Sequence, residues 1–288
     1  MRCKRFSKMP CREAGFLRHA LLALGLGAIT LGSTLAPARA DMIRAHYSVS
    51  LIGLEIGDAV ATGHVEPSHY QIDLNARLTG VAAMVSNVKL AFASAGNLHR
   101  GAILPSSYAT TSGNEQETRT VRMRLQSGTV KAVDISPPFE DWEGRVPVTE
   151  ALKRNILDPT SALIMAVPNN QPLVGPAACN RTLRIYDGYV RYDVALSYAG
   201  TREVAAKGYS GPVAVCTARY HPIAGHKLDS QSTRFMANNR EIEAWLAPVE
   251  KAHVVVPFHV SLMTMAGLAI IDAVEFTVEP STVTANTH

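Results

Sequence analysis

Past residue 40 the sequence keeps only two of its four cysteines, Cys179 and Cys216. A lone pair in an oxidising compartment reads as one disulfide, rather than as half of a metal site or as a nucleophile. After the first 35 residues no apolar run approaches the length of a membrane span. No cysteine follows that first run to accept a lipid. A phosphate-binding glycine loop and a dinucleotide fingerprint are both missing, so no cofactor is implied. His253 and His259 stand six residues apart on one expected strand, too far to share a metal ion, and His221 and His226 flank a turn with no second cysteine near them. No internal repeat or long linker divides the chain. It reads as one β-rich domain over residues 41–278 with a polar tail over 279–288.

What stands before residue 41 has a different character. Arg2, Lys4, Arg5, Lys8, Arg12 and Arg18 form a basic region, and residues 20–35 are uncharged and apolar. Ala38-Arg39-Ala40 then supplies small residues on either side of one spacer, just before Asp41. This is the pattern of an export signal cut between Ala40 and Asp41. A membrane anchor is the competing reading, but the run is short and carries Gly25, Gly27, Gly32 and Ser33. The expectation is therefore a periplasmic protein that does not span the membrane once the signal is gone. The whole chain carries 28 basic and 24 acidic side chains; residues 1–40 hold seven basic and one acidic, which leaves 21 against 23. With the apparent basicity confined to the signal, nothing points to nucleic acid.

From Ile43 onward the hydrophobic period is two. Ile43, Ala45, Tyr47, Val49 and Leu51 alternate with polar residues, as do Tyr70, Ile72, Leu74, Ala76 and Leu78. Val121, Met123 and Leu125 oppose Arg122 and Arg124, which reads as the wet face of a strand. Around Asp187-Gly188 a tight hairpin turn is expected, with Val190, Tyr192, Val194 and Leu196 on one face of the return strand. One helix stands out: Asp158-Pro159 is a cap with proline at the first helical position, and residues 161–167 are expected to follow as one or two turns. Residues 80–87 read either as a turn of helix or as a loop across the sheet edge. The fold class is all-β and antiparallel: a strongly curved sheet, as an open barrel or spiral, with one short helix. The alternative is a β-sandwich.

Several short pieces also carry a resemblance. They are Tyr47 with Gly53 and Gly57, Leu104-Pro105-x-x-Tyr108, Asp158-Pro159-x-Ser161-Ala162-Leu163, Tyr186-Asp187-Gly188, Ile242-Glu243-Ala244-Trp245-Leu246, then Pro257 and Gly267. In this order the sequence resembles the proteobacterial exported-protein family known as domain of unknown function 3108. The resemblance implies an extracytoplasmic β-rich protein and brings no catalytic residues with it.

Two functional readings follow. The first is a non-catalytic protein of the cell envelope whose curved sheet binds a lipid or other apolar ligand, or an envelope protein partner. Strand after strand has an apolar face and only one short helix is available to cover it. The groove is expected at Leu163, with Phe139 and Trp142 at its mouth. The second is a hydrolase built around Ser210, His226 and Asp229. Gly208-Tyr209-Ser210-Gly211 falls one residue short of a nucleophile elbow and lacks the helix that should follow it. Glu140, Asp141 and Glu143 beside two prolines read as a polar loop rather than as a glycosidase pair.

Overall fold

Alternation along the chain becomes strand after strand because an apolar residue at every second position gives a pleated ribbon one face to bury. The computed structural model describes residues 40–99, 101–114, 116–140 and 143–281. The chain runs β1 (Ala40–Leu51), β2 (Leu54–Val65), β3 (His69–Leu78), helix α1 (Gly80–Val85), β4 (Lys89–His99), β5 (Ala102–Gly113), β6 (Thr118–Gln126) and β7 (Thr129–Ser136). A long connection with 3₁₀ turns at Glu150–Lys153 and Ser161–Leu163 leads to β8 (Met165–Ala166) and α2 (Pro176–Cys179). Then come β9 (Arg181–Tyr186), β10 (Arg191–Ala206), β11 (Tyr209–Ala224), α3 (Gln231–Asn238), β12 (Ile242–Val249), β13 (Val254–Thr264) and β14 (Gly267–Ser281).

All fourteen strands belong to one antiparallel sheet that does not close. The order is β7-β6-β5-β4-β3-β2-β1-β14-β13-β12-β11-β10-β9, with β8 added beside β13. First and last strands meet at the centre of the sheet, and each half extends outward as a meander. One continuous hydrogen-bonded path replaces the two facing sheets of a sandwich. The halves curl toward each other: Tyr108, Met123, Leu125 and Val130 of β5–β7 pack on Ile156 and on Tyr186 of β9. At the point of contact Gly188 has φ +98°, and a methyl group there would stand 2.6 Å from Val121 Cγ1. Glycine is needed both for its backbone and for the approach.

Residues 156–167 run through the inside of this curl. Ile156 donates its N–H to Gly128 O, Leu157 pairs with Ile185, and Asp158, Ser161 and Val167 are fully buried. The helix expected over residues 161–167 is instead the single 3₁₀ turn Ser161–Leu163 followed by β8. Asp158 does cap the turn, accepting the N–H groups of Thr160 and Ser161 at 3.0 and 2.9 Å, but Met165–Ala166 gains more by pairing with Val254–Val255. α1 takes the helical alternative for its segment. α3 was not legible: its signal was Ser230, whose hydroxyl accepts the Thr233 N–H, ahead of a mostly polar stretch.

Two further expectations shift in detail. The Asp187 turn spans four residues, because the Asp187 carboxylate accepts the N–H groups of Tyr189 and Val190 and holds an Asx turn open between Tyr186 and Arg191. β14 continues through residues 279–281, paired with Ala40, Asp41 and Met42. Arg122 does lie on a wet face, with both it and Asp134 exposed at 3.9 Å. The signal expected over residues 1–40 lies outside the described residues except for Ala40, the first residue of β1.

The disulfide joins Cys179, at the end of α2, to Cys216 in β11, with Cα atoms 5.5 Å apart and both residues buried. It sits in its own apolar cluster with Met165, Val167, Leu173, Leu196 and Leu246.

Candidate functional site

Along β2 four successive inward positions before the buried Val65 are small: Gly57, Ala59, Ala61 and Gly63. Register places a larger residue on at least one side of each. Val49 and Leu78 flank Gly57, Tyr47 and Ala76 flank Ala59, Ala45 and Leu74 flank Ala61, and Ile43 and Ile72 flank Gly63. Since neighbouring strands lie about 4.8 Å apart, a strand of glycine and alanine between such neighbours makes a trough. Leu163 and Ile164 from the 3₁₀ turn, with Val256, Pro257 and Val260 of β13 and Ile271 of β14, form the facing wall. The groove, open on one side, has a volume of about 360 Å³ and is lined almost wholly by carbon.

The titratable side chains lining it are Tyr47, Asp58, Arg77 and His259, and each has a partner. Tyr47 donates its hydroxyl to Pro257 O at 2.7 Å, and burial pushes its phenol well above the usual tyrosine range. Arg77 donates to Asp58 at 2.8 Å. His259 stacks on Trp245 at 4.0 Å and meets Asp272 at 3.2 Å. The groove therefore offers contact mainly with hydrocarbon. Among the described residues no cluster of three or more histidine, cysteine or carboxylate side chains is placed to hold a metal.

The Leu163 wall is held by a buried polar lock. Tyr70 on β3 has its hydroxyl 2.6 Å from that of Ser161, and Ser161 donates to Asp158. Ser94 on β4 lies 2.7 Å from the Ser161 hydroxyl and donates to Asp158 Oδ2 at 3.0 Å. Burial raises the Asp158 carboxyl above the usual range, against the opposing pull of the hydrogen bonds from Ser161, Ser94 and Thr160. Gly96 makes room for the lock, because a methyl there would stand 2.6 Å from the Tyr70 hydroxyl. The polar atoms of the lock bond to one another, to Ser107 O and to the Thr160 N–H, which fixes the turn that carries Leu163.

The residues singled out from sequence are thus dispersed. Leu163 stands in the wall of the groove. Phe139 does not: it stacks on Tyr189 at 3.9 Å with the Arg119 guanidinium 4.4 Å from its ring, a π-arrangement that ties it to the β9–β10 turn. Trp142 lies outside the described residues. Asp41 is buried in β1 and accepts the Ala252 N–H at 3.0 Å. The hydrolase constellation is not assembled. Ser210 is the second residue of the 16-residue β11 and His226 lies beyond its far end, so an extended strand separates them. Asp229 sits in the exposed turn after it. What sequence reasoning missed is the floor, whose signal was the two-residue spacing of Gly57, Ala59, Ala61 and Gly63.

The sequence matches, over residues 45–268, a family model described as "Protein of unknown function (DUF3108)". No curated protein matches it. Among solved structures, the crystal structure of a beta-barrel-like protein of domain of unknown function DUF1849 from Brucella abortus overlays with a TM-score of 0.46 at 10% identity. The overlay covers 83% of this chain and 98% of that one.

Proposed function

We propose, for a chain that belongs to the DUF3108 family of proteins of unknown function, a non-catalytic role in the cell envelope: holding an apolar ligand in the groove over β2. The observation that carries this reading is the floor of Gly57, Ala59, Ala61 and Gly63 beneath walls of larger carbon side chains. A fold without a ligand gains about 0.8 kcal/mol for each methylene buried, so an unfilled carbon-lined volume at this position forgoes stability that larger side chains would supply. Its size falls within the range of small-molecule sites. Export agrees with the buried disulfide and with the residues before Asp41. Cleavage after Ala40 leaves Asp41 to begin β1 as part of a single domain that runs to the end of β14 at Ser281.

The test is titration of delipidated protein with a fluorescent fatty acid. Saturable binding is expected, weakened at least about tenfold by Leu163→Asp, because an ionised carboxyl in the wall demands water where the ligand offers none. Circular dichroism would establish that the variant is folded. Absence of binding by the wild type would leave a purely structural role for the sheet.

A further inference from the structure

The groove ends where three connections meet, and those connections are apolar and uncharged over unusual lengths. Residues 49–54, 78–88 and 260–271 contain no Asp, Glu, Lys or Arg. They form the β1–β2 hairpin, the α1 crossing and the β13–β14 hairpin. The sheet order β4-β3-β2-β1-β14-β13 puts all three at the same end. They touch one another: Ile52 donates its N–H to Leu268 O at 2.8 Å, and Thr79 donates to Ile56 O at 3.0 Å. Their large side chains point away from the protein. Met84 is 86% exposed, Ile52 65%, Met265 62% and Leu54 59%, with Leu268 beside them. Such a cluster of large apolar side chains at one end of a molecule marks an interaction surface.

We propose that this end docks on a lipid bilayer and that the groove takes up a single acyl chain from it. The second half of this statement rests on the ligand-binding reading above. Two features favour a bilayer over a protein partner. The exposed side chains stand on separate tips around an opening, which suits insertion among lipids, whereas a protein interface needs about 800 Å² of continuous complementary face on each side. The three runs also carry no charge of their own, charges of both signs follow them at Glu55, Lys89 and Asp272, and Arg77 is already paired with Asp58, so burying the tips in hydrocarbon strips water from no charged group. The groove-lining residues nearest the tips are Val49, Gly57, Leu78, Val88 and Ile271, each within a few strand positions of an exposed tip. A chain leaving the bilayer would pass from hydrocarbon to a carbon-lined groove with little exposure to water.

Flotation with vesicles of phosphatidylethanolamine and phosphatidylglycerol tests the docking. Wild type and variants are purified to the same N terminus, with residues 1–40 shown to be absent. The wild type is expected to float, and Leu54→Glu/Met84→Glu/Met265→Glu to lose at least tenfold in the vesicle-bound fraction. The triple variant should bind a soluble fluorescent fatty acid as the wild type does, since none of its three positions lines the groove. Ala61→Leu should do the reverse, floating normally while losing the fatty acid. Docking is overturned if the wild type stays with the free protein, whether or not its tips bind a protein, or if the triple variant floats equally well. A wild type that floats but binds no fatty acid refutes chain uptake and leaves docking intact.

Discussion

Ala61→Leu separates an open groove from a well-filled core by the sign of its effect on stability. Ala61 lies mid-strand on the floor, with Ala45 opposite on β1 and Leu74 opposite on β3. Leucine adds three carbons there. Where a core is already full, inserting such a group forces neighbours off their rotamers and costs about 1–3 kcal/mol. In a groove of about 360 Å³ the same carbons find room. Burial of about 0.8 kcal/mol per carbon then sets an upper bound of about 2.4 kcal/mol of added stability. Strain and lost rotamer freedom bring the expectation to between zero and that bound. Urea unfolding of delipidated wild type and variant supplies the number, and fatty-acid titration of the same samples the companion result. The expected outcome is a midpoint equal to or above that of the wild type together with weakened binding. A variant destabilised by more than about 1 kcal/mol that still binds ligand normally would refute the open floor.

Three further outcomes are expected. Burial raises the folded-state pKa of Asp158, so its contribution to stability is fully present below the unfolded carboxylate value of about 3.9 and is lost as pH rises through the folded value. Asp158→Asn should therefore fall furthest below wild type near pH 4 and less far near pH 7. Urea midpoints at both pH values decide this, and a gap that widens with pH contradicts it; Asp187, also raised by burial, is common to both proteins and cancels. Cys216→Ser removes a bridge across a sequence separation of 37, which the chain-entropy estimate makes worth about 4 kcal/mol at most. The variant should unfold at lower denaturant with its β-sheet circular dichroism intact, and two alkylatable thiols in native wild type would contradict the pairing. N-terminal sequencing of exported protein should read from Asp41, and an intact Met1 in that fraction would remove the signal assignment.

Most of the strands were legible because alternation is local. Ile43 and Ala45, Tyr70 and Ile72, and Val121, Met123 and Leu125 each declare a buried face within their own ribbon. The disulfide was legible by elimination, with only Cys179 and Cys216 left after residue 40. The family resemblance likewise held over most of the chain. Sequence periodicity alone could not decide which strands become neighbours, and the candidate site depends on that choice. The Asp158 turn reads locally as a helix start, yet its fate follows from Tyr70 and Ser94, whose bonds to Ser161 span 91 and 67 residues. The small residues of β2 read locally as a weak strand. They become the floor of a groove because β1 and β14 pair, which brings Pro257 of β13 to Tyr47 across 210 residues. Side-chain period is a property of one ribbon, whereas an empty volume exists only between surfaces that the whole sheet has to curl to bring together.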